Sequence, residues 1–269
     1  MKELHLSGVI ISSKSSMSSK WKKTKILRKE DELHRYIPDT SKLTRKSLWR
    51  MLQHMQMVFI KPAVGSAGKG VMKVERVVAP HGDGVTYYYQ LGARKRSFSS
   101  YSQLYTALQH EMKGKAYIIQ RGIHSLNHYG TPYDFRVVVQ RTPSGGWEMT
   151  GIVGRMAQPG KVVSNGSQGG SVIAANTLLL GAVGVVQYRR VLRHIQRISI
   201  KTMKRMHGAN PKLNEIGLDI ALDQQLKPWI LEVNLHPDHC LFAVLSDQSM
   251  IRKIVAYGAN YGKTYKLNC

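Results

Sequence analysis

Two apolar segments in the C-terminal half of the chain carry the polar residues that most constrain its fold. They read GLDIAL at 217–222 and WILEVN at 229–234, and short apolar runs of this kind are typical of buried strands. Because side chains alternate along a strand, Glu232 and Asn234 share one face, and an adjacent strand can bring Asp219 beside them. Carboxylate and amide oxygens are the ligands that Mg²⁺ prefers, usually shared with substrate phosphates. The pattern therefore predicts a metal-assisted nucleotide site on a sheet.

A structural alternative exists for the same residues. Asp219 and Asp223 can end strands, and Glu232 can be a buried acid with a basic partner. An isolated E-x-N pattern would favour this interpretation, so the metal hypothesis depends on other signals in the chain.

A glycine-rich turn at 65–70 is the second signal. Residues 58–74 read VFIKPAVGSAGKGVMKV, with Gly65, Gly68 and Gly70 in a G-x-x-G-x-G spacing. Such glycines let backbone N–H groups approach an anion without interference from Cβ atoms. The turn is not a P-loop, and the alternating residues after it predict a second strand rather than a helix. We therefore predict a hairpin flap, although an ordinary glycine-rich hairpin has the same pattern.

The order of these segments resembles that of the ATP-grasp superfamily. A strand with Lys61, the flap, the strand YIIQ at 117–120, a D-x-R motif at 134–136 and the D…E-x-N set follow one another. The chain is most similar to the spore-coat-associated YheC/YheD-like branch, from about Lys20 to about Phe242. The resemblance is carried by YIPDT at 36–40, FIKPAVGSAGKG at 59–70, YDFRVVVQ at 133–140, GRMAQPG at 154–160 and NEIGLDI at 214–220.

This resemblance implies an α+β ATP-grasp fold in which two α+β lobes enclose a nucleotide cleft. We expect residues 1–19 to form a short tail or remnant strand, residues 20–262 the ATP-grasp domain, and residues 263–269 a basic tail. Within the domain, a small lobe from about 50 to 122 carries the flap, and a second lobe from about 123 to 262 carries the metal ligands. We expect the N-terminal pre-grasp domain of the superfamily to be largely absent.

The resemblance also implies roles for individual residues. The nucleotide-binding positions are Lys20, Lys61, Gly65, Ser66, Gly68, Lys69, Gly70, Ile119, Gln120 and Ile123. The catalytic positions facing the terminal phosphate are Arg136, Arg155 and Asn165, and the metal ligands are Asp219, Glu232 and Asn234. Gln120 stands where many members of the superfamily have an acid. For Arg136, an ion pair with Asp134 or another acid is the structural alternative.

Helical periodicity predicts three longer helices. One covers 41–57 with Ser41 as N-cap, one covers 100–114 and ends at Gly114, and a long basic helix runs from about 176 to 207. Strands are predicted at 85–91 and 116–120. No internal repeat is visible.

Cysteine usage bears on the location of the protein. Cys240 and Cys269 are too few for a disulfide framework, and we expect a reducing, cytoplasmic environment with spore-coat association implied by the resemblance. The run 236–240, with two histidines, an aspartate and Cys240, invites a zinc hypothesis, but neighbouring ligands on one loop fit tetrahedral coordination poorly. The apolar segment LSGVII at 6–11 is too short for a membrane span.

Net charge is the compositional outlier. The chain has 40 Lys and Arg against 16 Asp and Glu, a formal net charge of +24. Such a field attracts polyanions, and we expect an anionic acceptor such as an acidic peptide or polymer. Nucleic acid stays an open alternative, although no nucleic-acid-binding motif accompanies the charge, and a solvated basic surface is the structural alternative for most of these residues. The sequence does not define an oligomeric state.

The combined pattern predicts an enzyme that uses ATP and Mg²⁺, with Mn²⁺ as an alternative cation. The resemblance implies a carboxylate–amine or carboxylate–thiol ligase acting through an acylphosphate, and positioning with charge neutralisation is what phosphoryl transfer requires. Two alternatives stay open: a kinase-like ATP-grasp phosphotransferase, and a spore-coat assembly protein that binds nucleotide or polyanion without turnover. The sequence does not identify a general base: His124, His128 and His236 are candidates, and a surface or structural role is the favoured alternative for each.

Overall fold

The computed structural model describes residues 17–80, 84–158, 160–161, 170–267 and 269. The predicted remnant strand and Asn165 lie outside the described residues. The helices are α1 (Lys20–Arg28), α2 (Asp31–His34), α3 (Arg45–His54), α4 (Tyr101–Met112), α5 (Ala175–Ala209), α6 (Cys240–Ala243) and α7 (Ser249–Asn260). The strands are β1 (Thr40–Lys42), β2 (Met57–Pro62), β3 (Met72–Val78), β4 (Val85–Leu91), β5 (Arg94–Phe98), β6 (Tyr117–Arg121), β7 (Asn127–His128), β8 (Thr131–Arg141), β9 (Trp147–Met156), β10 (Ser171–Ala174), β11 (Glu215–Leu222) and β12 (Pro228–Asn234).

The smaller lobe is built on an antiparallel sheet with strand order β1-β6-β2-β3-β4-β5. Helices α3 and α4 cover one face, where Leu48, Leu52, Leu104 and Leu108 are buried against apolar strand residues. The other face of the sheet is turned toward the second lobe. The glycine-rich turn joins β2 to β3, which pair antiparallel, so the predicted hairpin flap is confirmed.

The first of the predicted helices begins later than the sequence suggested. Thr44 is the N-cap of α3: its side chain accepts a hydrogen bond from Ser47 N, and the Ser47 hydroxyl accepts one from Thr44 N. Ser41, the predicted N-cap, lies instead in β1 opposite Ile119 of β6. The prediction of Ser41 as N-cap was wrong because strand pairing with a distant segment holds residues 40–42 extended.

The larger lobe is built on a sheet with strand order β10-β9-β8-β11-β12, to which β7 adds beside β8. Helix α5 packs on one face over Phe135, Val137, Ile216 and Leu218. This helix confirms the long basic helix predicted from the sequence, and it is interrupted at Gly184, whose φ of 70° is non-helical. Helices α6 and α7 cover part of the opposite face around Phe242. The rest of that face is open toward the cleft between the lobes.

The C-terminal residues fold back on the larger lobe instead of extending as a free tail. The Tyr265 and His239 rings lie 4.4 Å apart between centroids, and a Cβ on Gly258 would lie 2.3 Å from the Tyr265 ring. Cys269 forms a disulfide with Cys240 at the start of α6. Since disulfides are rare in reducing compartments, this pairing departs from the reducing environment expected from the cysteine count.

None of the described helices is both long and apolar enough to cross a membrane.

Candidate active site

A cavity of about 460 Å³ lies between the two lobes. Its apolar wall includes Met57, Phe59, Val71, Ile123 and Leu231. Charged side chains line the remainder: Lys61, Lys73, Arg121, Asp134, Arg155, Lys161, Asp219 and Glu232. A volume of this size accommodates a small organic ligand, and the separation into an apolar part and a charged part suits a molecule with a ring system and an anionic group.

The three predicted metal ligands lie on two paired strands, and two of them, Asp219 and Glu232, line this cavity. In the register of β11 and β12, Asp219 is opposite Glu232 and Gly217 is opposite Asn234. Directly opposed residues in an antiparallel pair have Cβ atoms about 5 Å apart. The register shifts between Asp219 and Ile220, which leaves Leu231 of β12 without a partner, and such a bulge bends the strand that carries the extra residue. The structure therefore brings Asp219 and Glu232 together, with Asn234 two pairs further along β12.

Two arginines from neighbouring strands meet the carboxylate of Asp219. Arg136 Nε lies 2.7 Å from Asp219 Oδ1, and Arg155 Nη2 lies 3.1 Å from Asp219 Oδ2. Arg155 also donates to both oxygens of Asp134, at 2.8 and 3.0 Å. These partners are cross-strand neighbours, since Asp219 pairs with Arg136 and Asp134 with Arg155 in the sheet register. The ion-pair alternative for Arg136 thus holds with Asp219 and not with Asp134.

Burial and these ion pairs set the protonation of the cluster. Burial alone would raise the pKa of Asp219, but Arg136 and Arg155 outweigh it and hold that pKa well below its usual range. Burial would likewise lower the pKa of Arg155, and Asp134 and Asp219 raise it instead. Asp219 and Arg155 are therefore both ionised at neutral pH.

Lysines of the small lobe and of α1 approach the same cluster. Lys20 Nζ lies 3.0 Å from Glu232 Oε1 and donates to Gly65 O at 2.7 Å, so it joins the flap to the strand with the candidate ligands. Lys23, one turn further along α1, donates to Val233 O. Burial lowers the pKa of both Lys23 and Lys61, and Glu232 partly opposes this effect. An incoming anion would stabilise the charged forms of these amines.

Gln120 orients Lys61. Lys61 Nζ donates to Gln120 Oε1 at 2.6 Å, while Gln120 Nε2 donates to Thr40 Oγ1 at 3.2 Å. Thr40 thereby fixes which end of the carboxamide faces the lysine. Because the partner is a neutral amide, the ammonium is held in place without being neutralised by it.

The flap depends on backbone conformations that glycine favours. Gly68 and Gly70 have φ values of 66° and 74°, in the left-handed region where other residues are strained. A Cβ on Gly70 would also lie 3.0 Å from Tyr117 Oη and 3.2 Å from a Pro62 side-chain atom. Gly68 lines the cavity, whereas Ser66 and Lys69 are exposed.

The remaining predicted residues are distributed between the cavity and its surroundings. Ile123 and Gln120 line the cavity, while the Ile119 side chain is buried in the core of the small lobe. Of the three candidate bases, His124 lines the cavity, and His236 is exposed on the chain after β12. His128 lies in β7 with its ring against Tyr129.

Several residues in or beside the cavity were missed by sequence reasoning. Lys23 is one of several lysines in a KWKK run, and only its burial against β12 distinguishes it. Gln90 donates to Gly160 O at 2.5 Å and so connects the small lobe to the larger one across the cleft. Asp134 belongs to the D-x-R motif, but its partnership with Arg155 depends on the pairing of β8 with β9. Each of these contacts is long-range, and no local sequence signal predicts it.

The donor set at β11 and β12 fits a divalent cation. Asp219, Glu232 and Asn234 offer carboxylate and amide oxygens, which Mg²⁺ and Mn²⁺ favour over nitrogen or sulfur. The Asn234 amide nitrogen is buried and has no hydrogen-bond partner among the described residues. A 180° flip of this amide would exchange its nitrogen with its oxygen. The oxygen would then occupy the unpartnered position, where it could bind a ligand. The zinc hypothesis for 236–240 fails on different grounds, since Cys240 is held in the disulfide.

The fold and this cleft define a protein of the ATP-grasp class. Among solved structures, the C-terminal domain of Pby1 from K. lactis, described as an ATP-grasp enzyme, is similar with a TM-score of 0.53 and 15% identity. The match covers 90% of this chain and 71% of that one. A family model for the YheC/D-like ATP-grasp proteins matches residues 10–264. The chain belongs to this family, which confirms the resemblance seen in the sequence.

Two curated relatives come from Bacillus subtilis (strain 168). The endospore coat-associated protein YheD is 25% identical over 231 residues, which are 84% of this chain and 49% of YheD. The endospore coat-associated protein YheC is 23% identical over 226 residues, 82% of this chain and 60% of YheC. The chain thus spans about half of one relative and three-fifths of the other.

Proposed function

We propose that the protein is an ATP- and Mg²⁺-dependent ligase that activates a carboxylate as an acylphosphate and joins it to an amine or a thiol. One observation carries the proposal: Asp219 and Glu232, opposed on paired strands, line a cavity that cations from both lobes also line, and Asn234 follows on the same strand as Glu232. The family membership supports ATP as the nucleotide. Endospore-coat association is proposed from the names of the two relatives.

The cavity suggests an orientation for ATP. The apolar wall with Met57, Phe59 and Ile123 suits the adenine ring, and the triphosphate would extend toward Lys61 and Arg155. Arg155 already gives Nε and Nη2 to Asp134 and Asp219, which leaves Nη1 to donate to a phosphate oxygen. Because its pKa is raised by Asp134 and Asp219, it stays charged throughout.

Asp219, Glu232 and Asn234 would hold the metal ion. When bound, Mg²⁺ neutralises charge on the phosphates that it bridges. The protein contributes position: Arg136 and Arg155 fix the carboxylate of Asp219 from two sides, and Gln120 fixes Lys61. A preorganised charged site of this kind is what phosphoryl transfer requires.

The proposed reaction has two balanced steps. A carboxylate oxygen of the acceptor attacks the γ-phosphorus of ATP, and the bond to the β–γ bridging oxygen breaks, giving an acylphosphate and ADP. An amine then attacks the acyl carbon and displaces phosphate, and the amine gives up a proton. His124 is proposed as the base that takes this proton, because it is the one of the three candidate histidines that lines the cavity.

Product analysis tests the proposal against its two alternatives. The protein is incubated with Mg²⁺-ATP, a glutamate-rich peptide as acid, and hydroxylamine as a small amine that traps acylphosphates. Formation of ADP with a peptide hydroxamate supports a ligase, and a stable phosphorylated product supports the kinase-like alternative. Nucleotide binding without ADP across a panel of acids and amines supports the non-catalytic binding protein. Glu232→Gln, which keeps the side-chain shape, should abolish ADP formation.

A further inference from the structure

Among the residues that the structure describes, strand β5 forms a free edge of the small-lobe sheet, since it pairs there with β4 on one side only. Four of its five residues are exposed and the fifth is half-buried. The other edge of this sheet, β1, has three residues and a buried threonine. In the larger sheet, the edge strand β12 is mostly buried, and Ile230 N donates to Tyr36 O. Among these edges, β5 offers the longest exposed row of backbone donors and acceptors.

The edge carries three consecutive cations that point to both faces of the sheet. Lys95 Nζ lies 4.6 Å from the centroid of the Tyr88 ring, and Arg96 Cζ lies 5.4 Å from that of Phe98. Arg94 pairs with Glu111. These contacts hold the stems of the side chains along the strand while leaving the residues exposed. The three cationic side chains therefore have preferred positions beside any strand that pairs with β5.

This charge selects what the edge can accept. Exposed edge strands are pairing templates, and charged side chains are a common defence against self-association. A second copy of a chain with a net charge of +24 would meet like charges at this edge. An acidic strand would instead gain both ladder hydrogen bonds and opposite-charge neighbours.

We propose that β5 is a docking edge for an extended acidic peptide, which adds to the sheet as a seventh strand. A segment of five or six residues matches the length of β5, about 17 Å at the usual rise of a strand. Acidic side chains at successive positions would meet Arg94 and Arg96 on the helix-covered face and Lys95 on the cleft face.

A groove beside the edge can take a side chain of the added strand. It lies between β5 and α4, has a volume of about 540 Å³ and contains no acidic residue in its lining. The lining consists of Arg96, Phe98, Ser102, Gln103, Thr106, Ala107 and His110. An apolar or polar side chain next to an acidic one in the peptide would fit this composition.

The cavity-lining residue that is nearest to the β5 edge in the sheet register lies on β4, the strand that pairs with β5. Lys95 pairs with Gln90 of β4, and Gln90 lines the cavity and bonds to Gly160 across the cleft. A peptide docked on β5 would thus run beside the cavity entrance. Its role as acceptor rests on the proposed ligase function, whereas the docking itself needs no nucleotide.

Fluorescence anisotropy with a labelled ten-residue peptide that has Glu at successive positions and Thr at every third position tests the docking. The variant Lys95→Glu/Arg96→Glu leaves the Arg94–Glu111 pair in place. Arg189→Glu/Arg190→Glu on exposed positions of α5 makes the same charge change and serves as the matched control. We expect the edge variant to weaken binding about tenfold or more and the control by less than about threefold, because only the edge contacts are close enough to escape screening.

Two further probes separate strand addition from simple charge attraction. A peptide of the same sequence with N-methyl groups at alternate residues keeps its charge and loses ladder donors, so we expect it to bind about tenfold more weakly. Equal weakening by both protein variants, full binding of the N-methylated peptide, or no binding of the parent peptide at low salt would overturn the inference. So would edge-dependent binding of an oligothymidylate with an affinity equal to that of the peptide, since an oligonucleotide cannot extend a sheet.

Two checks keep a failure of docking distinct from a failure of the proposed function. Melting curves of both variants should match the wild type, because the substituted side chains are exposed. Mg²⁺-ATP binding should also be unchanged in the edge variant. Peptide binding without any ligation would leave the docking edge intact and refute the ligase proposal alone.

Discussion

Replacing Asp219 by asparagine should reveal how much of the site is structural and how much serves a ligand. Asp219 is buried and its carboxylate meets Arg136 and Arg155 at 2.7 and 3.1 Å. Among the described residues, Arg136 has no other carboxylate partner. Removing one partner of a buried ion pair costs about 3 to 5 kcal/mol. Since asparagine retains one acceptor oxygen, we expect a loss near 3 kcal/mol, or about 6 to 10 °C in melting temperature for a chain of this size.

Glu232→Gln is the matched comparison because its ion pair is more exposed. The Glu232 side chain is 20% exposed, and its partner is the single amine of Lys20 at 3.0 Å. A partly screened pair of this kind contributes about 1 kcal/mol. We therefore expect Glu232→Gln to melt within about 3 °C of the wild type while losing the additional stabilisation that Mg²⁺ gives in the presence of ATP.

Thermal melts of both variants with no ligand, with ATP and EDTA, and with Mg²⁺-ATP check these expectations. A ligand at 100 times its Kd stabilises the native state by about 2.7 kcal/mol, which is easily resolved. If both variants keep the wild-type increment from Mg²⁺, the metal assignment is wrong. If Asp219→Asn melts like the wild type without ligand, the buried arginine network does not stabilise the fold as argued.

Two other predictions concern Gln120 and His239. Gln120→Glu should weaken ATP binding about tenfold, because a carboxylate 2.6 Å from Lys61 Nζ would neutralise the amine that is proposed to meet the phosphates. Calorimetric titration measures the ATP affinity. Unchanged or tighter binding would remove Lys61 from the phosphate site. Burial, with Arg136 nearby, lowers the pKa of His239 to about 4, whereas the unfolded state titrates near 6.5. The native state therefore takes up this proton at a lower pH than the unfolded state. The free energy of unfolding should have its full value above about pH 6.5 and fall by about 3 kcal/mol as the pH decreases to 4. Urea unfolding of the wild type and of His239→Phe across this pH range tests the prediction. Parallel curves of unfolding free energy against pH would show that His239 does not cause the loss.

The sequence was most informative where side-chain alternation alone defines the geometry. Glu232 and Asn234 share a face because they are two residues apart on a strand, and the flap is a hairpin because residues 71–76 alternate. Alternation could not identify the partners of the arginines. Residues two apart on one strand are further from each other than cross-strand neighbours, so Arg136 pairs with Asp219 instead of Asp134. That choice depends on sheet register, which joins segments 83 residues apart.

Long-range packing also explains the other departures from the predicted structure. Ser41 is a reasonable N-cap by local sequence, but pairing with β6 makes it part of a strand. The disulfide between Cys240 and Cys269 depends on the return of the C-terminal residues to α6. The local sequence does not distinguish Lys20 from the other lysines of its basic run. Only the position of α1 shows that Lys20 lies between the flap and Glu232.

The electrostatics of the cleft give a physical reason for nucleotide and metal to bind together under the proposed function. Five basic side chains, Lys20, Lys23, Lys61, Arg136 and Arg155, surround the three carboxylates of Asp134, Asp219 and Glu232. With all groups ionised, a divalent cation alone would add to an excess of positive charge, whereas the triphosphate of ATP would more than offset it. Lys20 links this balance to the flap, since its amine contacts both Gly65 O and Glu232. A cation bound by Glu232 would release Lys20 from this partner. The phosphates would offer the Lys20 amine a new partner while Gly65 O is still within its reach.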